Sequence, residues 1–204
     1  MRSATTLAIA LLLAGCVAHQ PGERIKTSAK STGSGPSSMD GVDTSERIPT
    51  DVRRLTIVVR DMAKSLAFYR DVLGLKVNYD APITMSGVNL PVGEPGTKAR
   101  LVLLNSNDPF VGWIGLMQML EPPLADAGDP YPTRLGAGAS VLVVNTDDAA
   151  ARCTAAVEVE GVIMTGPTRL QTYAGRGGGP DIRVRGCNVF DPDGIAVEIN
   201  QLLD

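Results

Sequence analysis

The chain is poor in the side chains that usually do acid–base or nucleophilic work. It has one histidine, His19, and three cysteines, Cys16, Cys153 and Cys187, among 204 residues. Neither Cys153 nor Cys187 has a histidine to activate its thiol, and a Ser-His-Asp relay is excluded for the same reason. The charged and amide residues that remain stand in apolar, strand-like runs. They are Arg54 in "RRLTIVV", Gln118 in "WIGLMQML", Arg183 and Arg185 in "DIRVRGCNVF", and Glu198 in "IAVEIN". A guanidinium grips a carboxylate or phosphate through paired hydrogen bonds, and a carboxylate can carry a proton. Such residues suit recognition of a small polar molecule. A net charge of −3 and an aromatic content of 4% give no case for nucleic-acid binding.

These residues need elements to position them. "RRLTIVV" has the β-branched content of a strand, and Asp61 follows it as a helix N-cap. Met62, Leu66, Tyr69 and Leu73 recur at helical spacing, and Gly74 ends the helix. "LKVNY", "ARLVLLN" and "WIGLMQML" are strands, separated by a Pro/Gly-rich stretch from Ala81 to Gly96. The order then repeats with "SVLVVN", an alanine-rich helix over 147–159 capped by Asp147, "VIMTGPTRL", "DIRVRGCNVF" and "IAVEINQL". Two such modules, packed edge to edge, would close a cavity between them. The glycine-rich "YAGRGGGPD" reads as a lid or hairpin tip. The stretch holding Met85, Val88 and Leu90 is a second candidate lid, facing an apolar ligand or another subunit. Cys153 falls on the apolar side of the second helix, where a buried inert thiol is the default. A disulfide to Cys187 would need facing Cβ vectors, which sequence does not show.

The first residues read differently. "MRSATTLAIALLLAGC" has a positive start and an apolar run too short to span a bilayer, and "LAGC" resembles the lipobox of bacterial lipoproteins. This predicts a leader over 1–15, lipidation at Cys16 and a flexible polar tether through residue 50. Val17 after the cysteine resembles the default sorting signal to the outer membrane, with the domain facing the periplasm. His19 lies in the tether, as a bystander.

The folded part, 51–204, resembles the vicinal oxygen chelate superfamily, which includes glyoxalase I, extradiol dioxygenases and bleomycin-resistance proteins. "RDMAKSLAFYRDVLGL" and "FDPDGIAVEIN" carry the resemblance. It implies an α+β fold of two βαβββ modules, 51–121 and 136–204, forming cupped mixed sheets with helices outside. Metal-dependent members place histidines on the first strand of each module and Glu, Gln or His on the last. Carried over, these positions fall on Arg54, Gln118, the neighbourhood of Ala139–Val141, and Glu198. A guanidinium cannot ligate a divalent ion, and the second histidine position offers no donor. The expectation is that the usual metal is absent, a weak oxygen-ligated divalent cation aside.

Arg54 is then expected either to pair with Glu198 or to hold an anionic ligand, with Gln118, Arg183 and Tyr131 as further contacts and Glu198 as the one acid/base of the cup. For Arg183 and Arg185 the plainer reading is solvated edge residues. Three functions stay open. One is a membrane-anchored protein binding a small organic molecule, anions among the candidates, with a homodimer as one arrangement. Another is a metal-dependent lyase, isomerase or dioxygenase using Glu198 and Gln118. The last is an envelope scaffold whose cup is plugged by side chains.

Overall fold

The computed structural model describes residues 50–88, 90–124 and 134–203. Cys16, His19 and Tyr131 lie outside them. The elements run β1 (Arg54–Val58), α1 (Met62–Leu66), a π-helical continuation (Ala67–Val72), β2 (Lys76–Thr84), β3 (Lys98–Asn105) and β4 (Trp113–Glu121). The second module follows with β5 (Val141–Asn145), α2 (Ala149–Ala156), β6 (Ile163–Tyr173), β7 (Ile182–Phe190) and β8 (Ala196–Leu203). Each module forms a four-stranded mixed sheet, ordered β1-β4-β3-β2 and β5-β8-β7-β6, in which only the first and last strands pair parallel. The α+β, two-module fold expected from the sequence is what forms.

Local chemistry explains the boundaries. Asp61 caps α1, its carboxylate accepting from the N–H groups of Ala63 (2.8 Å) and Lys64 (3.3 Å). The helix ends at Gly74, whose φ of +78° suits a residue without a Cβ. The second helix is shorter than the alanine run implies, and Asp148 rather than Asp147 caps it by accepting from Ala151 N–H. Asp147 instead accepts from the Thr146 hydroxyl. β2 and β6 are the outer strands of their sheets, which is why they tolerate Pro82 and Pro167.

The helix-covered faces of both sheets share one apolar cluster. It takes Ile57, Leu66, Phe68, Tyr69, Leu104 and Leu116 from module one, and Ala149, Cys153, Cys187, Val197 and Ile199 from module two. The wider π turn lets the adjacent Phe68 and Tyr69 both bury completely, with rings edge to face at 5.0 Å. The modules therefore meet through α2, the π-helical segment and the β7–β8 turn, not edge to edge as the repeat suggested. Cys153 and Cys187 form a disulfide tying α2 to β7 with Cα atoms 6.1 Å apart. This replaces the inert-thiol expectation: the two buried cysteines do present facing Cβ vectors.

Candidate functional site

Strand alternation settles which side chains share the uncovered face of each sheet. On β1 and β4, Ile57, Ile114 and Leu116 point into the shared core, so Arg54, Thr56, Val58, Gly115 and Met117 occupy the opposite face. On β8, Val197 and Ile199 point into the core, which places Glu198 and Asn200 on the uncovered side. Those two uncovered faces lie on the far sides of a common core, and no hydrogen bond or ion pair joins Arg54 to Glu198 among the described residues. Val58 and Val143, 41% and 61% exposed, show how open both faces are.

Arg54 lies flat on its sheet. Its Nε donates to Thr56 Oγ1 at 3.0 Å, and its chain passes over Gly115. A Cβ at Gly115 would meet Thr56 Oγ1 at 2.8 Å and Arg54 Cδ at 3.2 Å, so only glycine leaves that room. Below it the same face is closed by a small methionine-rich cluster of Met85, Ala99, Met117 and Met119. The candidate lid carrying Met85 folds back here, with Met85 N–H donating to Thr97 O at 2.9 Å. Met85 is buried, while Val88 and Leu90 remain exposed.

Gln118 is not on this face. It shares its side of β4 with Ile114 and Leu116, where its amide donates to Arg60 O (2.9 Å) and its carbonyl accepts from Met62 N–H (3.3 Å). Its role is to stitch the β1–α1 junction. Arg183 and Arg185 likewise share a side of β7 with Cys187 and Val189, away from Glu198. The plainer reading of solvated residues fits both.

The register identifies the counterpart of Glu198 in module one. Thr56 and Val143 each stand five residues before a helix cap, Asp61 or Asp148; Thr56 pairs with Gly115, and Val143 with Glu198. By the same count Val141 answers to Arg54. The four positions from which relatives would offer metal donors thus hold a guanidinium, a glycine hydrogen, an isopropyl group and one carboxylate. That donor set does not fit a divalent transition ion. No group of three or more His, Cys, Asp or Glu side chains suited to a metal occurs among the described residues.

Module two has the more polar uncovered face, and sequence reasoning missed two of its cations. Arg169, Gln171 and Tyr173 form a row on β6, with the Gln171 carbonyl accepting from Arg169 Nε (3.1 Å) and Nη2 (3.2 Å) and its amide donating to the Tyr173 hydroxyl. The strand carries two irregularities, between Met164 and Gly166 and between Gly166 and Arg169; their one-residue shifts cancel, so the row shares the uncovered side with Thr165. Arg134, which follows the inter-module linker, lines a cavity of about 140 Å3 with Thr165, Asn188 and Glu198. Nothing in the sequence around Arg134 marks it.

Behind both faces a buried acidic turn locks the modules. Asp191 accepts from the N–H groups of Asp193 (2.9 Å) and Ile195 (2.7 Å) and from the Tyr69 hydroxyl. Asp193 accepts from Arg60 N–H (2.8 Å) and the Ser65 hydroxyl (2.9 Å). Burial, outweighing the hydrogen bonds that lower it, raises the Asp191 carboxyl above its ordinary value, and burial followed by the charge of Asp191 holds the Tyr69 phenol well above its own.

A family model described as Glyoxalase/Bleomycin resistance protein/Dioxygenase superfamily matches residues 52–199. Among solved structures, a glyoxalase family protein from Bacillus cereus is similar at 16% identity and a TM-score of 0.59, over 79% of this chain and 100% of its own. A glyoxalase/dioxygenase from Nostoc punctiforme is similar at 21% identity and a TM-score of 0.48, over 76% of this chain and 92% of its own. The antibiotic binding protein TnmS3 from Streptomyces sp. CB03234 is similar at 22% identity and a TM-score of 0.43, over 76% and 97%. At such identities the likeness is one of fold. A search of curated proteins finds no match.

Proposed function

Because this chain belongs to the glyoxalase/bleomycin resistance protein/dioxygenase superfamily, we propose that it uses the superfamily frame to bind a small organic molecule without the usual catalytic metal. The observation that carries this reading is the replacement of donor positions by Arg54, Gly115 and Val141, with Glu198 alone retaining a donor. The rival reading, a metal-dependent lyase, isomerase or dioxygenase using Glu198 and Gln118, loses its second ligand because Gln118 lies behind the sheet.

The uncovered faces supply what binding needs. That of sheet one is apolar with Arg54 at its head; that of sheet two carries Glu198, Asn188, Asn200 and the Arg169 row. A homodimer, in which the open face of one chain closes over that of another, would enclose a ligand between them. The Cys16 lipobox adds membrane anchoring on the periplasmic side of the outer membrane, and the buried Cys153–Cys187 disulfide supports a compartment oxidising enough to keep it.

The test pairs elemental analysis of the purified protein with a thermal-shift screen of small organic anions and neutral metabolites. Substoichiometric zinc, nickel, iron and manganese with ligand-dependent stabilisation is expected, since a ligand binding only the native state raises the melting temperature. One tightly held transition ion per chain would overturn the reading.

A further inference from the structure

Glu198 and Arg134 line the same cavity and do not pair with each other. Among the described residues, neither side chain makes a hydrogen bond or ion pair, although Glu198 is half buried. Asn188 and Thr165 add neutral polar groups to the wall, while Val141 and Phe190 make it apolar elsewhere. At about 140 Å3, this cavity is well below the roughly 300–1,000 Å3 usual for drug-sized ligands. It shares Arg134, Leu135 and Phe190 with a second, wider hollow of about 410 Å3 under the small residues 136–140.

We infer that this cavity recognises a zwitterion with adjacent ammonium and carboxylate groups, of the size and kind of a free α-amino acid. The inference rests on the small-molecule reading above and names its ligand class. Charge decides the class. A simple anion offered to Arg134 is repelled by Glu198, and a simple cation offered to Glu198 is repelled by Arg134. A molecule carrying both charges satisfies each: its carboxylate takes the guanidinium fork, its ammonium donates to Glu198, and Asn188 and Thr165 complete the polar set. The remaining substituent lies along Phe190 and Leu135 into the wider hollow, so side-chain selectivity is set there.

The experiment uses the purified full chain, with thermal shift and titration calorimetry. The probes are leucine, phenylalanine, glutamate and lysine, each compared with its N-acetyl and C-terminal amide derivatives. Amine-free carboxylates, 4-methylpentanoate and 3-phenylpropanoate, are run alongside. At least one free amino acid is expected to bind, with blocking of either terminus weakening it about tenfold or more. Glu198→Gln and Arg134→Gln should each weaken it by a similar factor, whereas Arg185→Gln, on the opposite side of β7, should leave it within about twofold. Binding that tolerates acetylation or amidation overturns the inference. Binding of amine-free carboxylates alone also overturns it but leaves the small-molecule reading standing. Silence across these probes and across the wider screen sinks both. The unmodified protein gives these answers even where a variant fails to fold.

Discussion

The Tyr69 hydroxyl donates to Asp191 Oδ2 at 2.8 Å, joining the π-helical segment of module one to the β7–β8 turn of module two across 122 residues of sequence. Both groups are fully buried. The bond therefore has no water to replace it, and its neighbours fix its partner: Asp191 Oδ1 already serves the turn.

Tyr69→Phe removes the hydroxyl and leaves that carboxylate oxygen without its donor. Unfolding in urea should show a loss of about 1–3 kcal/mol with an unchanged m-value. Asp191→Ala should cost more, because it orphans the Tyr69 hydroxyl and two backbone N–H groups at once.

The same carboxylate gives a pH dependence of defined sign. Since burial raises the Asp191 pKa in the folded protein, the native state holds this proton after the unfolded chain has released it. Its contribution is complete below the unfolded-chain value and is lost as pH rises through the folded one. Exposed Asp71 and Asp80 act oppositely, because hydrogen bonds from Arg70 and Arg100 lower their values, so their contributions fade as pH falls. Denaturation of the wild type and Asp191→Asn across the acid range separates the two. The stability difference should move against the wild type with rising pH; a flat difference would contradict it.

Gln118→Leu should behave as a structural change. It leaves Arg60 O and Met62 N–H without their partner, at a cost of about 1–3 kcal/mol. Ligand affinity and metal content, measured on the folded variant, should stay at the wild-type level.

Cys153 and Cys187 should give no free thiol by titration of the oxidised, denatured protein. Their bond closes a loop over a sequence separation of 34, for which chain entropy suggests about 2–4 kcal/mol. Replacing both with alanine should lower stability by that order, while reductant should leave the variant's melting temperature unchanged.

The frame was legible because its signals are local. Asp61 before an apolar helix, glycine at its end and β-branched runs between turns each follow from short-range chemistry, and the element order repeats. Faces were harder to read. "WIGLMQML" is apolar on both sides, since Ile114 and Leu116 bury against helices while Met117 and Met119 bury under the 85–97 loop. Alternation therefore could not say which side Gln118 takes. Arg183 and Arg185 could have been placed by their parity with Cys187 and Val189, but only with those two known to be core. Two bulges interrupt the strand ahead of Arg169, leaving no clean alternation to read there, and the disulfide depends on a docking of α2 onto β7 that no spacing encodes.

The buried turn carries a broader consequence. Ser65, Tyr69, Asp191 and Asp193, all within the two segments that carry the family resemblance, work as joinery on the reverse of the sheets. Residues of that kind report on the scaffold and are silent about the hollow on the other side. Assigning chemistry to such chains means inspecting the few front-facing positions one by one, where a single guanidinium over a glycine outweighs the whole matching framework.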